Sequence, residues 1–113
     1  MHELGLTDAL LRMLRDVAKK EELTCVESVT LEIGELSGVV PRYMTDCWTA
    51  VIDGTEFAET KLIIESVPGI ASCMDCDAEF RIDVNSFRCP FCGGHNLTPV
   101  SGRDMTVKEI AAW

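Results

Sequence analysis

The sequence is short of positive charge. Ten lysines and arginines stand against nineteen aspartates and glutamates, a formal net charge of −9. A chain of that sign repels a phosphate backbone instead of collecting it, so nucleic acid is a poor partner. No apolar run approaches the length of a membrane span, and no membrane association is expected. The opening Met1-His2-Glu3-Leu4-Gly5 lacks the basic region of a targeting signal, which leaves a cytoplasmic location as the expectation. There is no G-x-x-x-x-G-K loop for a nucleotide and no evident Ser/His/Asp or Cys/His nucleophile set, so an enzyme is not expected. Histidine is scarce too, with only two in 113 residues.

Cysteine, by contrast, is plentiful, with six in all. Four of them fall in two pairs, Cys73-Met-Asp-Cys76 and Cys89-Pro-Phe-Cys92, with twelve residues between. Each Cys-x-x-Cys turn presents two thiolates about one metal radius apart. Two such turns facing each other make a tetrahedral S4 cage of the kind Zn2+ prefers. Pro90 stiffens the second turn, and Gly93-Gly94 supplies backbone freedom where the chain leaves the metal. Two disulfides or a thioredoxin-like redox pair are the competing readings. The missing signal peptide speaks against the first, and the missing βαβ pattern around either pair speaks against the second. Many zinc ribbons bind nucleic acid, but residues 69–100 hold Asp75, Asp77, Glu79 and Asp83 against only Arg81 and Arg88.

Read in order, the chain alternates helical and strand periods. Leu6, Leu10, Met13, Leu14 and Val17 recur at helical spacing and predict an amphipathic helix from about Glu3 to Glu22. Val29, Leu31 and Ile33 alternate with Thr30 and Glu32 and predict a strand over Val26–Gly34. Pro41 opens a second helix to about Ile52, with Met44, Cys47, Trp48 and Val51 on its apolar stripe. A second strand spans about Thr60–Val67, and Pro68-Gly69 marks a boundary. The next thirty residues are too few to hold a core of their own, so metal must supply most of their folding free energy. The last segment, Arg103–Ala112, has a strand-like pattern and is expected to return beside one of the first two strands. The expected fold is α+β: a small sheet packed with two helices, residues 1–68 plus 101–113, with a zinc-ribbon module inserted at 69–100. Cys47 and Trp48 read as core, and Cys25 as the residue that opens the first strand.

The amino terminus is a second possible ligand set. The α-amine of Met1, the backbone amide of His2 and the His2 imidazole can close two fused chelate rings on one ion. The Glu3 amide or an outside ligand would complete the plane. Nickel(II) and copper(II) favour such nitrogen planes, whereas zinc gains nothing from planarity. The Glu3 carboxylate would orient the imidazole from the second shell. A histidine at position 2 is also a common accident of sequence. His95, three residues after Cys92, reads equally as a solvated turn residue or as an auxiliary metal ligand.

Four features taken together resemble the HypA/HybF family. They are the Met1-His2-Glu3 start of an amphipathic helix, the strand ending Leu-Glu-Ile-Gly-Glu-Leu (31–36), the two Cys-x-x-Cys pairs and the closing Val-Lys-Glu-Ile strand. The resemblance covers nearly the whole chain in order. It implies a nickel metallochaperone for [NiFe]-hydrogenase maturation, with transported Ni2+ held at Met1, His2 and Glu3 and structural Zn2+ at Cys73, Cys76, Cys89 and Cys92. It further implies a HypB-type GTPase and the hydrogenase large-subunit precursor as partners, and in some members urease accessory proteins. An acidic zinc-ribbon adaptor for protein–protein contacts is the alternative, and in it the amino terminus would have no role.

Overall fold

The computed structural model describes residues 2–113. Helix α1 spans His2–Lys20, with Glu3 in its first turn and Lys19 and Lys20 in its last, the arrangement that the helix macrodipole favours. It stops two residues before the expected Glu22. Glu22 takes a left-handed φ of 52°, and Leu23 N–H bonds back to the Ala18 carbonyl at 2.9 Å, a Schellman closure without the usual glycine. The buried face of α1 also differs from the expected stripe. It carries Glu3, Thr7, Leu10, Leu11 and Leu14, while Leu6, Met13 and Val17 are only half-buried. The face is rotated so that an acidic residue lies in line with the core leucines.

Strand β1 (Val26–Gly34) and helix α2 (Pro41–Ile52) have the predicted bounds. Strand β2 (Lys61–Val67) pairs parallel with β1, and β6 (Met105–Ala112) pairs antiparallel along its other edge. The first sheet is therefore ordered β2-β1-β6, with α2 as the crossover between the two parallel strands. Helices and sheet enclose one core, in which Leu14, Val29, Leu31 and Met44 are fully buried and Trp48 is 2% exposed. Trp48 donates its Nε1–H to the Thr60 carbonyl at 3.0 Å, and buried Thr60 donates Oγ1–H to Val26 O at 2.8 Å. Both buried polar groups are thus satisfied. Cys47 is half-buried, not buried like Met44 and Trp48 on the same stripe. Cys25 lies just ahead of β1, exposed, with its N–H on the Trp113 carbonyl at 3.1 Å.

The second sheet is antiparallel, ordered β4-β3-β5, from β3 (Ile70–Cys73), β4 (Glu79–Arg81) and β5 (Leu97–Ser101). The chain enters it from β2 through Pro68-Gly69 and leaves it for β6 through Gly102. The two sheets lie end to end. The molecule measures 54 × 26 × 16 Å with a radius of gyration of 17.5 Å, against about 13 Å for a single compact body of this length. Where the lobes meet, Gly34, Gly69 and Gly102 are all buried. A Cβ on Gly34 would overlap the Gly102 carbonyl, and one on Gly69 would strike the Leu36 side chain. These glycines let three backbone segments cross at close approach.

Candidate metal centres

The two Cys-x-x-Cys turns fold alike. Cys73 N–H bonds to Ala78 O at 2.8 Å, and Cys89 N–H bonds to Gly94 O at 2.9 Å. Asp77 N–H returns to Cys73 O at 2.8 Å, as Gly93 N–H returns to Cys89 O at 2.9 Å. The residue after each second cysteine takes a left-handed φ, 62° at Asp77 and 74° at Gly93. The turn requires that conformation, which glycine adopts freely and aspartate only at some cost.

The turns bring all four sulfurs together. Cys73 and Cys92 Sγ are 3.6 Å apart, as are Cys76 and Cys89 Sγ, and all four lie within 4.8 Å of one another. A tetrahedral ion with metal–sulfur bonds of about 2.3 Å would place its ligands about 3.8 Å apart, so the spacing and the donor type fit. Cys73 and Cys89 are buried, while Cys76 and Cys92 are exposed. The cage is closed behind and reachable in front.

As thiols, Cys76, Cys89 and Cys92 do not titrate alike. Burial alone would raise Cys89, but the N–H groups of Cys92 and Phe91 and the neighbouring thiols outweigh it and draw the group down to about 7. For Cys76, the Ala78 N–H pulls down, yet burial and the other three sulfurs push it up to about 12. Cys92 is also raised, because the facing sulfurs and burial outweigh the Gly94 N–H. The Cys89 thiolate forms ahead of those of Cys76 and Cys92, and an entering cation must displace the protons those two hold. Among the described residues no other cluster of three or more His, Cys, Asp or Glu ligand atoms forms.

In the helical lobe, the structure sets His2 beside Glu3 at the start of α1. The His2 side chain is 58% exposed, and its Nδ1 lies 3.8 Å from Glu3 Oε2. Met1, the third member of the expected nitrogen set, lies outside the described residues. Glu3 is 5% exposed, and its Oε2 accepts the Val40 N–H at 3.1 Å. That hydrogen bond, with one from Glu3's own N–H, holds the carboxyl below the usual carboxylate range. Val40 is the N-cap of α2, offers no capping side chain of its own, and precedes Pro41. Glu3 thus ties the N-terminal ends of both helices together, where negative charge is favoured. The imidazole nitrogen facing it is Nδ1, the atom a five- and six-membered chelate would use. His95 is exposed in the turn after the second cysteine pair, with Nδ1 3.4 Å from Phe87 O, and is not brought into the thiolate cluster.

Two features escaped the sequence. One is the burial of Glu3, whose signal was its helical phase with Thr7, Leu10 and Leu14. The other is Glu35, which receives the Gly69 N–H and Arg81 across 34 and 46 residues of chain. Its one local sign was its place after Gly34 in a strand-ending motif.

Comparison with known proteins agrees along the full length. A family profile described as "Hydrogenase/urease nickel incorporation, metallochaperone, hypA" matches residues 1–112. Relatives called hydrogenase maturation factor HypA include one from Albidiferax ferrireducens, 38% identical over 110 residues and 97% of both chains. Another, from Geobacter metallireducens, is 37% identical over 110 residues, again 97% of both chains. Two solution structures share the fold. One titled HypA protein has a TM-score of 0.71 at 21% identity, covering 100% of this chain and 97% of its own. The nickel metallochaperone HypA from Helicobacter pylori has a TM-score of 0.65 at 20% identity, covering 97% and 96%.

Proposed function

The chain belongs to the HypA family of hydrogenase/urease nickel-incorporation metallochaperones, carriers and not enzymes, and from that premise we propose that it takes up Ni(II) at its amino terminus. Met1, His2 and Glu3 are the proposed ligands, and the acceptor is the [NiFe]-hydrogenase large-subunit precursor in the cytoplasm. The observation that supports this reading is the exposed His2 imidazole at the first turn of α1. The first amides of a helix have no intrahelical acceptor. The nitrogens of His2 and Glu3 therefore take part in a metal plane without breaking the helix ladder. A deprotonated amide is also favoured at the positive end of the macrodipole. The Glu3 carboxylate is buried and engaged with the Val40 N–H, so Glu3 contributes its amide nitrogen more readily than its oxygen. The exposed imidazole sits where an acceptor can reach it, which suits release without disturbing the buried Glu3 beside it.

Cys73, Cys76, Cys89 and Cys92 would hold Zn2+ as a structural ion, whose chemistry is to cross-link two turns that have no core between them. The exposed Met74, Phe87 and Phe91 of that lobe offer apolar docking area for a HypB-type GTPase or the precursor. Amine and imidazole must both lose protons, so nickel affinity falls through mildly acidic pH.

Calorimetry of Ni2+ binding to the zinc-loaded chain tests the reading. A Gly-Ser extension before Met1 removes the α-amine from the chelate, and His2→Ala removes the imidazole. Each is expected to weaken nickel binding by at least about tenfold with zinc content unchanged. Native affinity in both variants would move the nickel elsewhere.

A further inference from the structure

Among the described residues the strong element-to-element contacts lie within each lobe, and the lobes meet around the crossing of the two connectors with the loop after β1. Three backbone hydrogen bonds tie that loop to the connectors: Gly34 N to Asp104 O at 2.9 Å, Glu35 N to Val67 O at 2.9 Å and Leu36 N to Gly102 O at 2.8 Å. All three acceptors belong to the ends of β2 or the approach to β6, so they anchor the loop to its own sheet. They leave open the angle at which the ribbon departs.

One carboxylate reaches further. Glu35 Oε1 accepts the Gly69 N–H at 2.8 Å, at the point where the chain enters β3. The same carboxylate takes Arg81 of β4 in a two-point fork, Nε to Oε1 at 3.0 Å and Nη2 to Oε2 at 2.6 Å. Forked guanidinium–carboxylate pairs fix direction as well as distance. Among the described residues, two ribbon side chains hydrogen-bond toward the helical lobe: Arg81 forks onto Glu35, and Ser101 Oγ of β5 donates to the Pro68 carbonyl at 3.1 Å. Gly69 O in turn accepts Ile82 N–H at 2.7 Å, which ties the far end of β4 to the same point. The crossing glycines carry no side chains of their own. The other ties there, Leu36 N–H to Gly102 O at 2.8 Å and Ser101 Oγ to Pro68 O at 3.1 Å, are single hydrogen bonds close to the connectors. The Glu35 fork onto β4 is therefore the tie with the longest lever on the ribbon.

We propose that Glu35 is a positioning residue: by gripping Gly69 N–H and Arg81 together, it fixes the angle at which the ribbon carries its four cysteines relative to the helical lobe. A groove of about 550 Å3 between Leu36 on one wall and Ile82, Phe87 and Leu97 on the other exists in that orientation. Without the carboxylate the ribbon swings as one body on Pro68-Gly69 and Gly102, while the cysteine cage and the helical core stay as they are. The inference does not depend on which metal either site takes.

Residual dipolar couplings of the full zinc-loaded chain, weakly aligned, test this. In the native protein one alignment tensor is expected to fit both lobes. In Glu35→Ala the lobes are expected to need separate tensors of unequal magnitude, with one zinc per chain and native shifts inside each lobe. Arg81→Leu, at an exposed site, should give the same split. The charge swap Glu35→Arg with Arg81→Glu should restore a common tensor in part, which a merely structural loss would not. A single tensor with the native lobe orientation in both single variants would overturn the proposal. Should Glu35→Ala lose its native shifts, Arg81→Leu decides between the same two outcomes.

Discussion

The two lobes are held together by different means. In the helical lobe, Leu14, Val29, Leu31 and Met44 are wholly removed from water, and burial of that kind stabilises by about 1.5–3 kcal/mol for each large side chain. In the ribbon the buried hydrophobic residues are Ala71, Cys73 and Cys89, two of which are metal-ligand candidates. Of its larger apolar residues, Val84, Phe87 and Phe91 are exposed and Ile70, Phe80, Ile82 and Leu97 only half-buried. One lobe is folded by its side chains, and the other has little to fold it except what its sulfurs grip. The same contrast divides the candidate sites. The thiolate cage is braced by paired backbone hydrogen bonds, whereas His2 rests on one exposed helical turn.

That contrast is broken most strongly at the cage. Cys73→Ser removes a buried candidate ligand from a site where a structural zinc ion would contribute roughly 10–16 kcal/mol of apparent binding free energy. Zinc content measured by mass spectrometry should fall to background. Amide spectra should show residues 70–101 collapse to random-coil shifts while α1, α2 and β1 stay dispersed. If the helical lobe melts with the ribbon, the two means of support are not separate. The reciprocal change is Leu14→Ala, expected to destabilise the helical lobe by about 2–5 kcal/mol. In denaturant titration its amide signals should be lost earlier, with one zinc still bound. The smallest effect sharpens the likeness of the two turns. Asp77→Gly should raise ribbon stability, and Gly93→Ala should lower it, each by about 1 kcal/mol. Competition with a chromophoric chelator reads both, and equal affinities across the three proteins would mean that turn strain is not felt at the metal.

Periodicity made the helical lobe legible. The bounds of β1 and α2 follow from the Val29-Leu31-Ile33 alternation and from Pro41, and the four cysteines follow from spacing alone. Local patterns say nothing of contacts between distant residues. The end of α1 was missed because Glu22 closes it in a conformation usually left to glycine. Glu3 reads as a polar first-turn residue until α2 is placed beside it and Val40 needs an acceptor. Glu35 looks like a solvated charge after a strand. Only the crossing of Pro68-Gly69 with Gly102 shows that Arg81 and a backbone N–H converge on it.

Because β1 lies between β2 and β6, the central strand gains its second neighbour only after the ribbon has been made; Val29 pairs with Ile110. A nascent chain therefore holds a half-built sheet with an open edge, the condition in which strands pair with the wrong neighbour. An ion that gathers the intervening loop early shortens the free chain between β2 and β6 and eases that closure. Cells starved of zinc would then be expected to lose this protein to aggregation during synthesis, before any question of cargo arises.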